Sequence, residues 1–96
     1  MDRSRIIGSW KSVLYTDLTG IPRQYDRQEL TFRPDGTGNM HAKTLFKRNT
    51  PFKWDFDGYD FHIYNLGGPG SVAIANVEGN ELGVVENGMI MVYVKG

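Results

Sequence analysis

Cysteine is absent from all 96 residues. That excludes disulfides, thiolate nucleophiles and thiolate-bound metal, and it makes a reducing compartment, the cytoplasm, the expected setting. No apolar run approaches the length of a membrane-spanning helix, so no membrane partner is expected. The opening "MDRSRIIGSW" has no apolar stretch of signal-peptide length, and secretion would require a leader removed beforehand. No Asn-x-Ser/Thr glycosylation site occurs, because Pro51 stands where Asn49 would need a hydroxyl residue. A Gly-x-Ser-x-Gly elbow is missing. The glycine-rich "NLGGPGS" (65–71) lacks the Lys-Ser/Thr of a phosphate loop and reads as a flexible hairpin tip.

Bases are scarce in the second half. Residues 1–53 hold ten Lys/Arg against five Asp/Glu, and residues 54–96 hold one against six, although the net charge is zero. A weak basic and aromatic set around Arg23, Tyr25, Arg27 and Arg33 is outweighed by that acidic half, so no nucleic-acid partner is expected. The same asymmetry would make the molecule a dipole, which suits either a soluble mixed surface or self-association.

What is present is rhythm. Turn signals recur about every ten residues: Asp35-Gly36, Lys47-Arg48-Asn49, Asp57-Gly58, Gly67-Gly68-Pro69-Gly70, Gly79-Asn80 and Asn87-Gly88. The stretches between them alternate. "FKWDF" (52–56) sets Phe52, Trp54 and Phe56 on one face, "YDFHI" (59–63) sets Tyr59, Phe61 and Ile63 on one face, and "ELTFR" (29–33) buries Leu30 and Phe32. The pattern predicts one domain over residues 1–96, all-β, with about eight strands near 8–16, 28–34, 37–46, 51–57, 59–65, 71–77, 80–86 and 89–95, and a short helical turn within 2–7. Short hairpins joining about eight antiparallel strands suit an up-and-down β-barrel, which removes exposed edges. A two-sheet sandwich is the second choice, but its long crossovers have no obvious place.

Two segments break the pattern. "DLTGIPRQYDR" (17–27) is long for a hairpin loop and reads either as a lid or as a crossing of the barrel end. "MIMVYVK" (89–95) is apolar on both faces, so its outer side calls for cover, from Ile6 and Ile7 or from a second subunit in a homodimer.

A Gly-x-Trp at the start of an all-β meander resembles the calycins, and the closer likeness is to small bacterial lipocalin-like domains. The matching residues are Gly8-Ser9-Trp10, "LTFRPDGTGN" (30–39), "FKWDFDGYDFHI" (52–63) and Tyr93, spanning nearly the whole chain. The resemblance implies that Trp10 closes one barrel end with Lys95 packed across it, and that a small hydrophobic molecule binds inside. Compared with larger lipocalins the chain is short, without the Thr-Asp-Tyr motif or disulfide, which counts against a roomy cavity.

The inward ligand-binding candidates are Leu14, Phe32, Trp54 and Phe61, with Met40 and Ile74 beside them and Ile21 and Tyr25 from the long loop. As a lid, that loop would turn Ile21 and Tyr25 inward over Phe32 and Trp54. A barrel of this size can instead be filled by its own side chains. His41 is expected outward, and His62 shares a face with Asp60 and Tyr64 as a surface pair. No catalytic residue, metal ligand or cofactor is assigned. Three functions stand in order: binding of a small hydrophobic ligand, a protein-interaction module with a filled barrel, and an enzyme of cyclase or decarboxylase type in a calycin barrel.

Overall fold

A computed structural model describes residues 2–43 and 48–96. After a helical turn (Arg3–Ile6), the strands are β1 (Gly8–Thr16), β2 (Pro22–Gln24), β3 (Gln28–Phe32), β4 (Thr37–Ala42), β5 (Arg48–Phe56), β6 (Phe61–Tyr64), β7 (Val72–Glu78), β8 (Glu81–Glu86) and β9 (Met89–Lys95). Each strand from β3 to β9 pairs antiparallel with the next, and β9 returns to β1. The result is a closed eight-stranded antiparallel barrel with β2 as an additional short strand. Closure leaves no long unpaired edge, the hazard of a sheet built from such β-rich segments.

The first half of β1 pairs with β3, from Gly8↔Phe32 to Lys11↔Glu29. Its last three residues pair with β2, from Leu14↔Gln24 to Thr16↔Pro22. The long segment 17–27 therefore lies along β1, and the Tyr25 amide donates to the Val13 carbonyl at 3.0 Å. On its other edge β1 follows β9, with a bulge between Ser12 and Leu14. A bulge inserts one residue and reverses the inside–outside phase beyond it. Trp10 and Ser12 are buried before it, and Tyr15 faces the interior after it.

Strand ends depart from the sequence reading in physically explicable ways. β5 begins earlier than expected, so Arg48 and Asn49 are strand residues rather than turn residues, pairing with Ala42 and His41. Pro51 is tolerated in that strand because β6 pairs only with Lys53–Phe56, leaving one edge at Pro51 without a neighbour. The expected continuation of the third strand through 44–46, and Lys47 of the expected turn, lie outside the described residues. Tyr59 is 83% exposed rather than inward. Asp57 draws residues 57–60 into a tight turn, its Oδ1 accepting from the amides of Tyr59 and Asp60, both at 2.8 Å.

The "DGT" of the sequence motif is a similar device. Asp35 Oδ1 accepts from the Thr37 amide at 3.0 Å and from its hydroxyl at 2.6 Å. Across the turn the Trp54 amide donates to the Gly36 carbonyl at 2.9 Å, and its indole N–H is shared by the carbonyls of Arg33 and Thr37 at 3.1 Å. The apolar core is an aromatic chain on these inner faces. Phe32 lies 5.1 Å from Phe52 and 5.9 Å from Trp54, Trp54 lies 6.0 Å from Phe61, and Phe61 stacks on Phe56 at 4.5 Å. Aromatic pairs at such distances add to the stability that area burial alone supplies.

Candidate functional site

The barrel has one sealed end and one recessed end. At the sealed end the helical turn lays Ile6 into the interior, fully buried, beside Trp10 at 1% exposure. The Trp10 indole N–H donates to the Ile6 carbonyl at 2.8 Å, which satisfies the one polar atom of an otherwise apolar plug. Lys95 Nζ sits 4.6 Å from the Trp10 ring centre and donates to the Ile7 carbonyl. Partial burial holds its pKa below the ordinary lysine value. The Arg3 guanidinium covers Trp54 at 4.3 Å and bonds the Pro34 carbonyl at 2.9 Å. The plug role implied for Trp10 and Lys95 is thus present in the geometry.

At the other end, where β1 finishes and β9 begins, the interior is not filled. A cavity of about 210 Å³ lies between Tyr15 of β1, Gln28 of β3, Met40 of β4, the Leu66-Gly67 loop, Glu86 of β8 and Met91 of β9. On the loop side the wall includes Gly67, where a Cβ would stand 2.6 Å from Glu86 Oε1. An adjoining recess of about 180 Å³ shares Tyr15, Gln28 and Met91 and adds Tyr25. The Tyr25 ring stands 6.2 Å from that of Tyr15.

The polar groups of this cavity are few and mostly paired. Tyr93 OH donates to Gln28 Oε1 at 3.0 Å, and Tyr15 OH donates to the Met89 thioether at 3.0 Å. Burial, with Tyr25 and Glu86 nearby, holds the Tyr93 phenol well above the ordinary tyrosine pKa, so it remains a hydrogen-bond donor at neutral pH. Glu86 follows Leu82 and Val84 in the inward phase of β8, and its Oε1 is buried with no hydrogen-bond partner among the described residues.

Of the six ligand-binding residues expected from sequence, one reaches this cavity complex. Tyr25 borders the adjoining recess. Leu14 is 38% exposed and faces outward, because the bulge reverses its phase; it borders a wider, shallower depression of about 640 Å³ outside the barrel. Ile21 is 59% exposed, since its segment runs beside β1 instead of across the mouth. Phe32, Trp54 and Phe61 do point inward, but into the packed core toward the sealed end. Ile21 and Tyr25 therefore cannot turn over Phe32 and Trp54, which lie with the first residues of β1 and β4 at the opposite end. Ile74 is outward too, because Ala73 and Ala75 occupy the inner positions of β7. Met40 lines the cavity as expected. Sequence reasoning missed Gln28, Glu86, Met89 and Met91. The available signal was phase: a glutamate follows two inward aliphatics at alternate positions.

His62 lies on the outer surface. It is paired with Asp55 at 3.3 Å and Asp57 at 3.7 Å rather than with the expected Asp60. Tyr64 stacks beside it at 6.5 Å and donates to Asp55 at 2.8 Å. The two imidazole nitrogens face different carboxylates, so these groups do not converge on a common point, and no metal-binding cluster occurs among the described residues. No helix among the described residues is long and apolar enough to cross a membrane.

No protein-family model and no curated protein matches this sequence. In structure, the chain is similar to a lipocalin-like protein from Bacteroides uniformis, with a TM-score of 0.75 at 14% identity over 96% of this chain and 99% of that one. It is also similar to an uncharacterized protein from Bacteroides eggerthii, with a TM-score of 0.70 at 12% identity over 95% of this chain and 99% of that one. At these identities the likeness speaks to fold: the chain is a lipocalin-like barrel.

Proposed function

We propose that this lipocalin-like barrel binds a small, largely hydrophobic molecule in the cavity at its recessed end. The observation that carries the reading is the cavity itself, about 210 Å³, walled by thioether, aliphatic and aromatic groups around Gln28, Tyr93 and Glu86. An apolar wall with a few convergent polar groups is the usual build of a small-molecule site. Its volume lies below the roughly 300–1,000 Å³ of pockets for drug-sized ligands, so the occupant has about one ring or a short chain. At the ligand efficiencies open to so small a molecule, the dissociation constant should lie at about 1–100 μM. Methionines suit such a site because their flexible side chains repack around different shapes.

The test is titration of an apolar environment-sensitive dye. Saturable binding to the wild type, lost in Met91→Trp with the fold intact, supports the reading. Absence of saturable binding across a panel of fatty acids, aromatics and tetrapyrroles removes it.

A second reading has its own observation. Ile74, Val85 and Ile90 occupy consecutive partner positions across β7, β8 and β9, and all three are exposed. This uncharged outer row, which includes part of segment 89–95, supports a homodimer, since a two-fold axis places the same patch on both sides.

A further inference from the structure

We infer that the recessed cavity selects a protonated amine carried on a small apolar body, with the Glu86 carboxylate as its anchor. This deepens the ligand-binding reading and rests on it.

The inference starts from an unmet group. Among the described residues, Glu86 Oε1 is buried with no hydrogen-bond partner, and none of their ion pairs involves Glu86. A buried carboxylate oxygen without a donor is costly, and its persistence points to a donor that arrives from outside the chain. The site is shaped around it: a Cβ at Gly67 would stand 2.6 Å from Glu86 Oε1, so glycine is what lets the carboxylate lie there.

Neither phenol of the cavity supplies that donor. Each hydroxyl has one hydrogen, and those of Tyr93 and Tyr15 are directed to Gln28 and Met89. Among the described residues no lysine, arginine or histidine lines the cavity, and the one formal charge they bring to it is negative. An anionic ligand would meet Glu86 with nothing to offset the repulsion. An alcohol would offer a single donor and no charge to balance the carboxylate. An ammonium offers three donors and a full opposite charge. The methionine thioethers are polarizable neighbours for the same charge.

Three probes of one shape separate the possibilities: phenethylamine, phenethyl alcohol and hydrocinnamate, titrated calorimetrically at neutral pH into the wild type and Glu86→Gln. In the wild type the amine should bind about 10- to 100-fold tighter than the alcohol, the factor expected when the donor to a partly buried carboxylate carries the opposite charge. Hydrocinnamate should be the weakest. Glu86→Gln should abolish the amine's preference and bring the two affinities together, with an unchanged circular dichroism spectrum and urea midpoint showing that the fold is intact. Equal wild-type affinities for amine and alcohol, or an amine preference retained in Glu86→Gln, would overturn the inference while ligand binding stands. If none of the three binds the wild type, the inference and the reading beneath it both fall. The wild-type comparison needs no variant, so the inference remains testable even if Glu86→Gln does not fold.

Discussion

Lys95 lies over Trp10 at 4.6 Å, and Gly8 passes so close that a Cβ there would stand 2.7 Å from Lys95 Nζ. Gly8 also has a φ of +121°, a conformation that residues with a Cβ rarely adopt. The Gly-x-Trp motif is therefore a three-body arrangement: glycine admits the lysine, and the lysine covers the tryptophan. Gly8→Ala should cost about 1–3 kcal/mol from backbone strain, and Lys95→Ala about 0.5–2 kcal/mol from the lost contact. Because the alanine also displaces Lys95, the double variant should lose less than the two singles combined, measured by urea denaturation. Strict additivity would contradict the arrangement.

Trp10 is the heart of the sealed end. Trp10→Ala should lower stability by about 3–5 kcal/mol, as large aromatic deletions in cores do. A loss below about 1 kcal/mol would show that the plug contributes little and that the end is closed by other residues.

The strands with strict alternation were the legible part. Leu30, Phe32, Phe52, Trp54, Phe61 and Ile63 are all buried as their phase implies. The barrel followed because regular short turns leave antiparallel neighbours. Phase failed in two circumstances. In β1 a bulge shifted it, and no residue type at Ser12-Val13-Leu14 announces a bulge. In β7 the first four residues are apolar on both faces, so Ile74 stands out as outward only through its phase with Asn76 and Glu78. The cavity was illegible for a related reason. It lies among residues of β1, β3, β4, β8, β9 and the 65–71 loop, and such a space depends on neighbours brought together by closure.

Acid should weaken the fold in a defined direction. The Thr37 hydroxyl and amide hold the Asp35 carboxyl below its ordinary pKa, and the amides of Asp60 and Tyr59 do the same for Asp57. Because the folded pKa values are depressed, their stabilisation is full above the unfolded value of about 3.9 and is lost as pH falls through the folded values. Urea midpoints should therefore decline from about pH 5 downward. The Asp35→Asn/Asp57→Asn variant keeps the turn acceptors without their charge, and its decline should be shallower. Identical pH profiles for variant and wild type would remove the carboxylates from the explanation.

The outer row of Ile74, Val85 and Ile90 predicts self-association. Sedimentation at micromolar concentration should give twice the monomer mass, and Val85→Lys should return it to the monomer without loss of stability. A wild type that stays monomeric as concentration rises would leave the row as ordinary apolar surface.

The central claim is that the two barrel ends differ in kind, one packed and one receptive. Methyl-labelled methionine spectra report on the receptive end through Met40, Met89 and Met91, while the indole N–H signals of Trp10 and Trp54 report on the sealed end. Titration with phenethylamine should shift the three methyl signals along one saturating curve and leave both indole signals in place. Movement of the indoles without the methyls, or no saturating shift at any of these positions, would contradict the account.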